Sequence, residues 1–243
     1  MKSNLTAIIF GVAIVLAALL LGNAYIKRAK VNGAIQVTGL GTTDFTSDLV
    51  VWEGNFVTKN FDLKQAYSTL KNDQERIKTY LVSKGIAIEN IVFSAVQTTR
   101  ATRQKFSNTG TYTGDEFDGY RLSQNVQLES KEVDKIEKIS REVTELLNEG
   151  VHLYSQAPRY YYTKLSDLKI EMISRATEDA RTRAESIAEN SGGKLGKLES
   201  AKMGIFQITG QNSKEDYSWG GTFNTTAKEK TASITMKLVY AVK

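Results

Sequence analysis

Two stretches of strict alternation constrain this chain more than any other feature. In residues 120–128, YRLSQNVQL, the side chains of Tyr120, Leu122, Val126 and Leu128 share one face and those of Arg121, Ser123, Asn125 and Gln127 the other. Near the carboxyl end Ala232, Ile234, Met236, Leu238, Tyr240 and Val242 repeat the pattern. A period of two puts successive side chains on opposite sides of a strand. Both stretches therefore predict strands of a sheet with one buried face, a pattern typical of antiparallel pairing. Weaker strand signals lie at residues 35–39, 49–58, 91–97, 151–157 and 198–208.

Three segments carry a helical period instead. The first runs from Asp62, suited to an N-cap, to Ser83, with Leu63, Ala66, Tyr67, Leu70, Ile77 and Leu81 on one stripe and Gly85 to stop it. A second follows Ser130, where Val133, Ile136, Ile139, Val143 and Leu146 recur every three or four residues up to Gly150. The third spans residues 166–190, with Ile173, Ala176, Ala180, Ala184, Ile187 and Ala188 on one face. Its stripe is mostly alanine, which allows close approach to a neighbour. Glu171, Arg175, Glu178, Arg181 and Glu185 on its other face predict a solvated, charge-alternating surface. Residues 99–118 and 209–229 are polar and contain glycine, and both are expected to be mobile hairpin loops.

The predicted class is α+β: a largely antiparallel sheet covered by about three helices and preceded by one N-terminal transmembrane helix. That last element rests on Leu5 to Leu21, seventeen residues without a charge. A hydrocarbon core takes about 20 apolar residues to span, so residues 5–26 are expected to contact a membrane. A cleaved signal peptide is the alternative, because Gly22, Asn23 and Ala24 offer small residues where a signal peptidase cuts. The organisation expected is an anchor or signal segment with a basic flank at 1–30, and an α+β domain at 31–243.

The net charge of +5 sits largely in the front segment, where Lys2, Lys27, Arg28 and Lys30 stand without an acid. The remainder holds 28 basic against 27 acidic residues and has no overall basic character with which to displace counterions from nucleic acid. Nucleic acid is therefore not an expected partner. The chain has no cysteine, which excludes disulfides, thiolate catalysis and cysteine-bound zinc.

Residues 37–45, VTGLGTTDF, resemble a phosphate-cradling loop, but such a loop must turn a strand directly into a helix. Here Gly39 and Gly41 lead into a second strand-like run, so a bend or bulge is expected. His152, the single histidine, is expected to point away from Val151 and Leu153, and it is the one position for the base of a hydrolytic triad. Asp115 and Glu116 are adjacent acids in a predicted loop, where solvation is the ordinary state. The basic run RATRQK, 100–105, is expected at a hairpin tip. Tyr160 to Tyr162, after Pro158, read either as an edge strand packed into the fold or as a contact with a partner. No catalytic, cofactor-binding or metal-binding residues are assigned.

Taken together, VTGLGTTDFTSD, SKGIAIENIVFSAVQT, GYRLSQNVQL and ISRATEDARTRAESIAENSGGKLGKLES resemble the SIMPL domain family, which includes bacterial periplasmic immunogenic proteins and envelope proteins linked to oxidative stress. The last stretch is the most specific, with Ala176, Asp179, Ala180, Ala184 and Ala188 in family positions, and the likeness covers nearly all of residues 35–243. The resemblance implies an α+β domain exported beyond the inner membrane, assembly into rings or channel-like oligomers, and no established catalytic residues. The expectation is a single-pass inner-membrane protein, with its carboxyl-terminal domain in the periplasm or outside the cell. It would be non-enzymatic, self-assembling and able to support envelope or oxidative-stress tolerance. An adaptor for another envelope protein and an envelope enzyme using His152 are the alternatives.

Overall fold

The computed structural model describes residues 2–29, 33–216 and 218–243, with side chains described from 10 to 25 and from 33 onward except at 217. It bears out the α+β class, with four α-helices and antiparallel sheets among the described residues. The elements in chain order are α1 (Lys2–Ala29), β1 (Ala34–Thr46), β2 (Leu49–Asn60), α2 (Leu63–Ser83), β3 (Ile91–Phe93), β4 (Gln97–Phe106), β5 (Tyr112–Ser130) and α3 (Val133–Glu142). Then follow β6 (Leu153–Ser155), β7 (Arg159–Tyr161), α4 (Leu165–Asn190), β8 (Leu195–Met203), β9 (Gln207–Gly210) and β10 (Glu229–Val242). Two compact units result: Met1–Gly41 with Ile173–Gly204 and Thr235–Lys243, and Thr42–Met172 with Ile205–Ile234.

In the first unit β10 pairs antiparallel with β8, from Met236 opposite Met203 to Val242 opposite Leu195. The alanine stripe is buried as expected, at Ala176, Ala180, Ala184 and Ala188. The bend expected at Gly39 and Gly41 is not there, because β1 runs through both as one strand with Val37, Gly39 and Gly41 alternating on its buried face. A Cβ at Gly39 would lie 2.1 Å from the Ala176 carbonyl oxygen and 2.4 Å from the Ala180 nitrogen. Glycine is required here by a helix backbone lying against the strand, not by a turn. The Leu40 N–H donates to Asp179 Oδ2 at 2.9 Å, securing the same contact.

Helix α1 is 28 residues long, and its described side chains, Phe10 to Tyr25, are exposed. Among the described residues no helix is long and apolar enough to cross a membrane. The start of the uncharged run, Leu5 to Ile9, and the basic residues Lys2, Lys27, Arg28 and Lys30 lie outside the residues whose side chains are described.

The second unit is built on a six-stranded sheet in the order β3-β5-β2-β6, with β4 also on β5 and β7 also on β2. Strands β2 and β5 pair from Val50 opposite Ser130 to Asn60 opposite Tyr120, which sets Trp52, Phe56, Leu122, Val126 and Leu128 on one side. Helix α2 covers that side with Ala66, Leu70, Ile77 and Leu81, and α3 with Val133, Ile136 and Ile139. The indole N–H of Trp52 donates to Ser155 Oγ at 2.9 Å, and that hydroxyl donates to the Ser140 carbonyl at 2.7 Å. Asp62 caps α2 as expected, accepting from the Gln65 N–H at 2.9 Å. Leu63 and Tyr67, expected on its apolar stripe, are exposed. The second predicted helix divides, with a 3-10 turn over Val143–Glu149 following α3 and ending at Gly150, φ +83°. Val143 and Leu146 stay buried because a spacing of three keeps them on one side of the tighter helix.

Residues 99–118 are not a loop. They belong to a long two-stranded arm in which β4 pairs with β5 from Gln97 opposite Ser123 to Phe106 opposite Tyr112, turning at residues 107–111. Most of β4 is exposed, so its ladder is satisfied by the backbone without an apolar face, and period-two alternation leaves no trace. Residues 209–229 do form mainly a connection, between β9 and β10.

The buried face of β10 begins one pleat earlier than its apolar residues indicate, at Lys230, which is 1% exposed. Its ammonium donates to the carbonyls of Tyr160 (3.1 Å) and Ala227 and lies 6.0 Å from the Tyr160 ring centroid. Burial pushes its pKa down to about 8, against the pull of nearby Glu215.

Two outcomes follow from these contacts. Gly39→Val is expected to lower the unfolding free energy by at least ~2 kcal/mol, from overpacking, and an unchanged denaturant midpoint would contradict the packing described. Lys230 loses its proton in the folded chain near pH 8 and in the unfolded chain near its ordinary 10.5. Over that interval the unfolded state holds more protons, so stability rises with pH. The stability of the wild type relative to Lys230→Met should therefore rise between pH 8 and 10.5 and stay level below pH ~7, as read by urea unfolding across that range.

Candidate functional site

A concavity that combines a buried carboxylate with the single histidine lies in the second unit, where β6 stops short of the end of β2. It is an open cleft of about 550 Å³ lined by Val57, Thr58 and Lys59 of β2, Thr69 and Asp73 of α2, Arg121 of β5, and Gly150, His152 and Tyr154. Each side chain arrives there for a local reason. Thr69 and Asp73 are one helical turn apart and so share a face. Arg121 stands opposite Lys59 in the β2–β5 register. The left-handed Gly150 ends the 3-10 turn, after which the Val57 N–H binds the His152 carbonyl at 3.3 Å.

Asp73 is the unusual member. It is 5% exposed and occupies a place on the α2 stripe between Leu70 and Ile77 that an apolar residue would be expected to fill. Burial raises its pKa above the ordinary carboxyl value, and the charges of Arg76 and His152 oppose this. Among the described residues its carboxyl group has no hydrogen bond or ion pair. The Arg76 guanidinium donates instead to the Glu149 carbonyl at 2.7 Å. Lys59 pairs with Asp118. The hydroxyls of Thr58 and Thr69 donate to the carbonyls of Ala66 (3.0 Å) and Gln65 (3.1 Å), which leaves their oxygens as acceptors. The guanidinium of Arg121 has no partner among the described residues. The sequence does signal Asp73, since it lies three residues after Leu70 and four before Ile77, yet a carboxylate on an apolar stripe is easily passed over as a gap in the period.

The other residues singled out in the sequence are dispersed. His152 is exposed and opposite to the buried Val151 and Leu153, as alternation predicts, and lines the same cleft as Asp73. Asp115 and Glu116 sit on the arm, where Glu116 pairs with Arg103. Residues 100–105 lie within β4 and not at a hairpin tip, because pairing with β5 continues to Phe106. Arg100 there stacks over the Phe117 ring at 5.2 Å. Tyr160 is buried, and the Tyr162 ring meets Phe45 at 4.8 Å between centroids, so the fold itself uses two of the three tyrosines. At the glycine stretch the Leu40 amide faces the carboxylate of Asp179. That bond first, and Arg183 second, hold Asp179 below the usual carboxylate range, a setting hostile to phosphate. Among the described residues no three His, Asp or Glu side chains converge as metal ligands.

A comparison with curated proteins gives no match. The family model SIMPL, described as "Protein of unknown function (DUF541)", matches residues 35–240, which runs from the start of β1 almost to the end of β10. The chain belongs to the SIMPL (DUF541) family.

Proposed function

We propose that this SIMPL-family chain is an extracytoplasmic protein held to the inner membrane by residues 5–26, with a body that self-associates, catalyses no reaction and supports envelope or oxidative-stress tolerance. The exposed β4–β5 arm carries the self-association. Phe106 and Tyr112 at its far end are 54% and 53% exposed, with ring centroids 6.0 Å apart. Near its base the exposed Phe61 and Phe117 rings lie 6.0 Å apart. Among the described residues β4 pairs with β5 alone, leaving its outer edge open. Aromatic surface beside an unpaired edge favours contact with another chain over exposure to water. The anchor is supported by the uncharged run Leu5 to Leu21 on the 28-residue helix α1. Export and the stress role follow the family likeness.

The shared cleft of His152 and Asp73 favours a second reading, an envelope enzyme with His152 as base. The two readings differ in what His152→Ala does: oxidant tolerance of cells should be unchanged under the first and lost under the second.

The full chain in detergent should run as an oligomer by light scattering. The double variant Phe106→Ser, Tyr112→Ser should associate at least about tenfold more weakly. A wild-type monomer at high concentration would overturn the assembly. Membranes washed with alkaline carbonate should retain the chain, and its release would overturn the anchor.

A further inference from the structure

In the second unit, the connection from β9 to β10 holds Trp219 out in solvent by construction. The residue is 96% exposed, whereas Trp52, the other tryptophan, is fully buried. The buried amide of Gln207 clamps the turn at both ends: its Nε2 donates to the Ser218 carbonyl at 2.8 Å, and its Oε1 accepts from the Thr222 N–H at 2.6 Å. Gly221, at φ +92°, closes the turn by donating its N–H to the Ser218 carbonyl at 3.0 Å. Ile208 fixes the stretch that follows, donating to the Thr222 carbonyl at 2.7 Å and accepting from the Asn224 N–H at 2.9 Å. Ile205, whose side chain approaches Gly221, and Phe223 are exposed beside the turn. The charges of the connection offset one another. Lys214 and Asp216 are two residues apart and opposite in sign, and the Glu215 carboxylate turns inward to the Gly210 N–H and the Asn224 amide.

We propose that the Trp219 turn is a membrane-contact element, which seats its indole at the headgroup level of a phospholipid bilayer with Ile205 and Phe223 beside it. An indole joins a large apolar body to a single N–H donor, and such rings partition to membrane–water interfaces. At a clamped tip the ring cannot fold back to shed its apolar surface, so that surface is left for a partner. A stable protein partner takes about 20–30 residues a side, far more than these three side chains offer. A bilayer accepts a single turn when a second attachment holds the chain close. The proposed anchor supplies that attachment, and on this point the inference rests on it: residues 27–33 join it to β1 and reach at most ~25 Å. Contact through the turn is then an intramolecular event. Because the charges nearby offset one another, zwitterionic lipid suffices.

The opposite burial of the two tryptophans makes the test spectroscopic. The full chain is reconstituted into phosphatidylcholine vesicles, with and without acyl chains brominated near the headgroup. The emission of Trp219→Phe, which keeps only the buried Trp52, is then subtracted from that of the wild type. This variant changes an exposed tip residue, so its urea midpoint should match the wild type. The difference emission should be blue-shifted from that of tryptophan in water, lost in brominated vesicles and insensitive to aqueous iodide. Emission at the water position, quenched by iodide and not by bromine, would overturn the proposal. So would blue-shifted emission that neither quencher reaches, since the indole would then lie against protein, as in a contact with a second copy. Alkaline carbonate separates this contact from the anchor. A chain quenched by bromine but released by the wash lacks the anchor and keeps the contact, whereas a chain retained through the wash with Trp219 unquenched keeps the anchor and lacks the contact.

Discussion

The approach of helix α4 to strand β1 at Gly39 is the contact on which the first unit depends. The Ala176 carbonyl and the Ala180 amide lie where any side chain on residue 39 would have to be. Strand and helix therefore meet backbone to backbone, with alanines 176, 180, 184 and 188 fully buried along the seam. Small residues on both partners make this possible, and the Leu40 to Asp179 bond holds it in register. The stretch that resembles a phosphate loop is thus occupied by the protein's own helix. Its amide is answered by a carboxylate, which would repel the ligand such a loop serves.

The second unit follows a different rule. Its core is large and apolar, centred on Trp52 and Phe56, and its polar groups are satisfied in relays such as Trp52 to Ser155 to Ser140. Against that background Asp73 and Lys230 break the local pattern, each placing a charge on an otherwise apolar face. They differ in what answers the charge. Lys230 is met by two backbone carbonyls and an aromatic ring and so belongs to the fold. Asp73 is met by nothing within hydrogen-bonding reach among the described residues. A departure from local consistency without internal compensation is where function is sought.

Much of this was legible in the chain. The alternation of residues 120–128 and 232–242 and the apolar stripes of α2, α3 and α4 led to the observed elements, because burial on one face writes a period into the sequence. The Asp62 cap and the stop at Gly85 were legible for the same local reason. The β4–β5 arm was not, since a ribbon with little buried surface imposes no apolar period. Nor were the roles of Gly39, Asp73 and Lys230. A glycine reads the same whether it turns a chain or admits a helix, and a charged side chain reads as solvated until its neighbours are known.

By itself the sequence determined the α+β class, the helical segments, the strands with one buried face, the family and the uncharged run at the front, all of which depend on residues near one another in the chain. Only the tertiary structure decided that Gly39 seats a helix, that a polar stretch forms a projecting arm, and that Asp73, Arg121 and His152 come to one cleft. Those outcomes depend on strand register and on which elements meet, and the residues involved are separated by tens of positions to more than a hundred. Local propensity carries no record of such distant meetings.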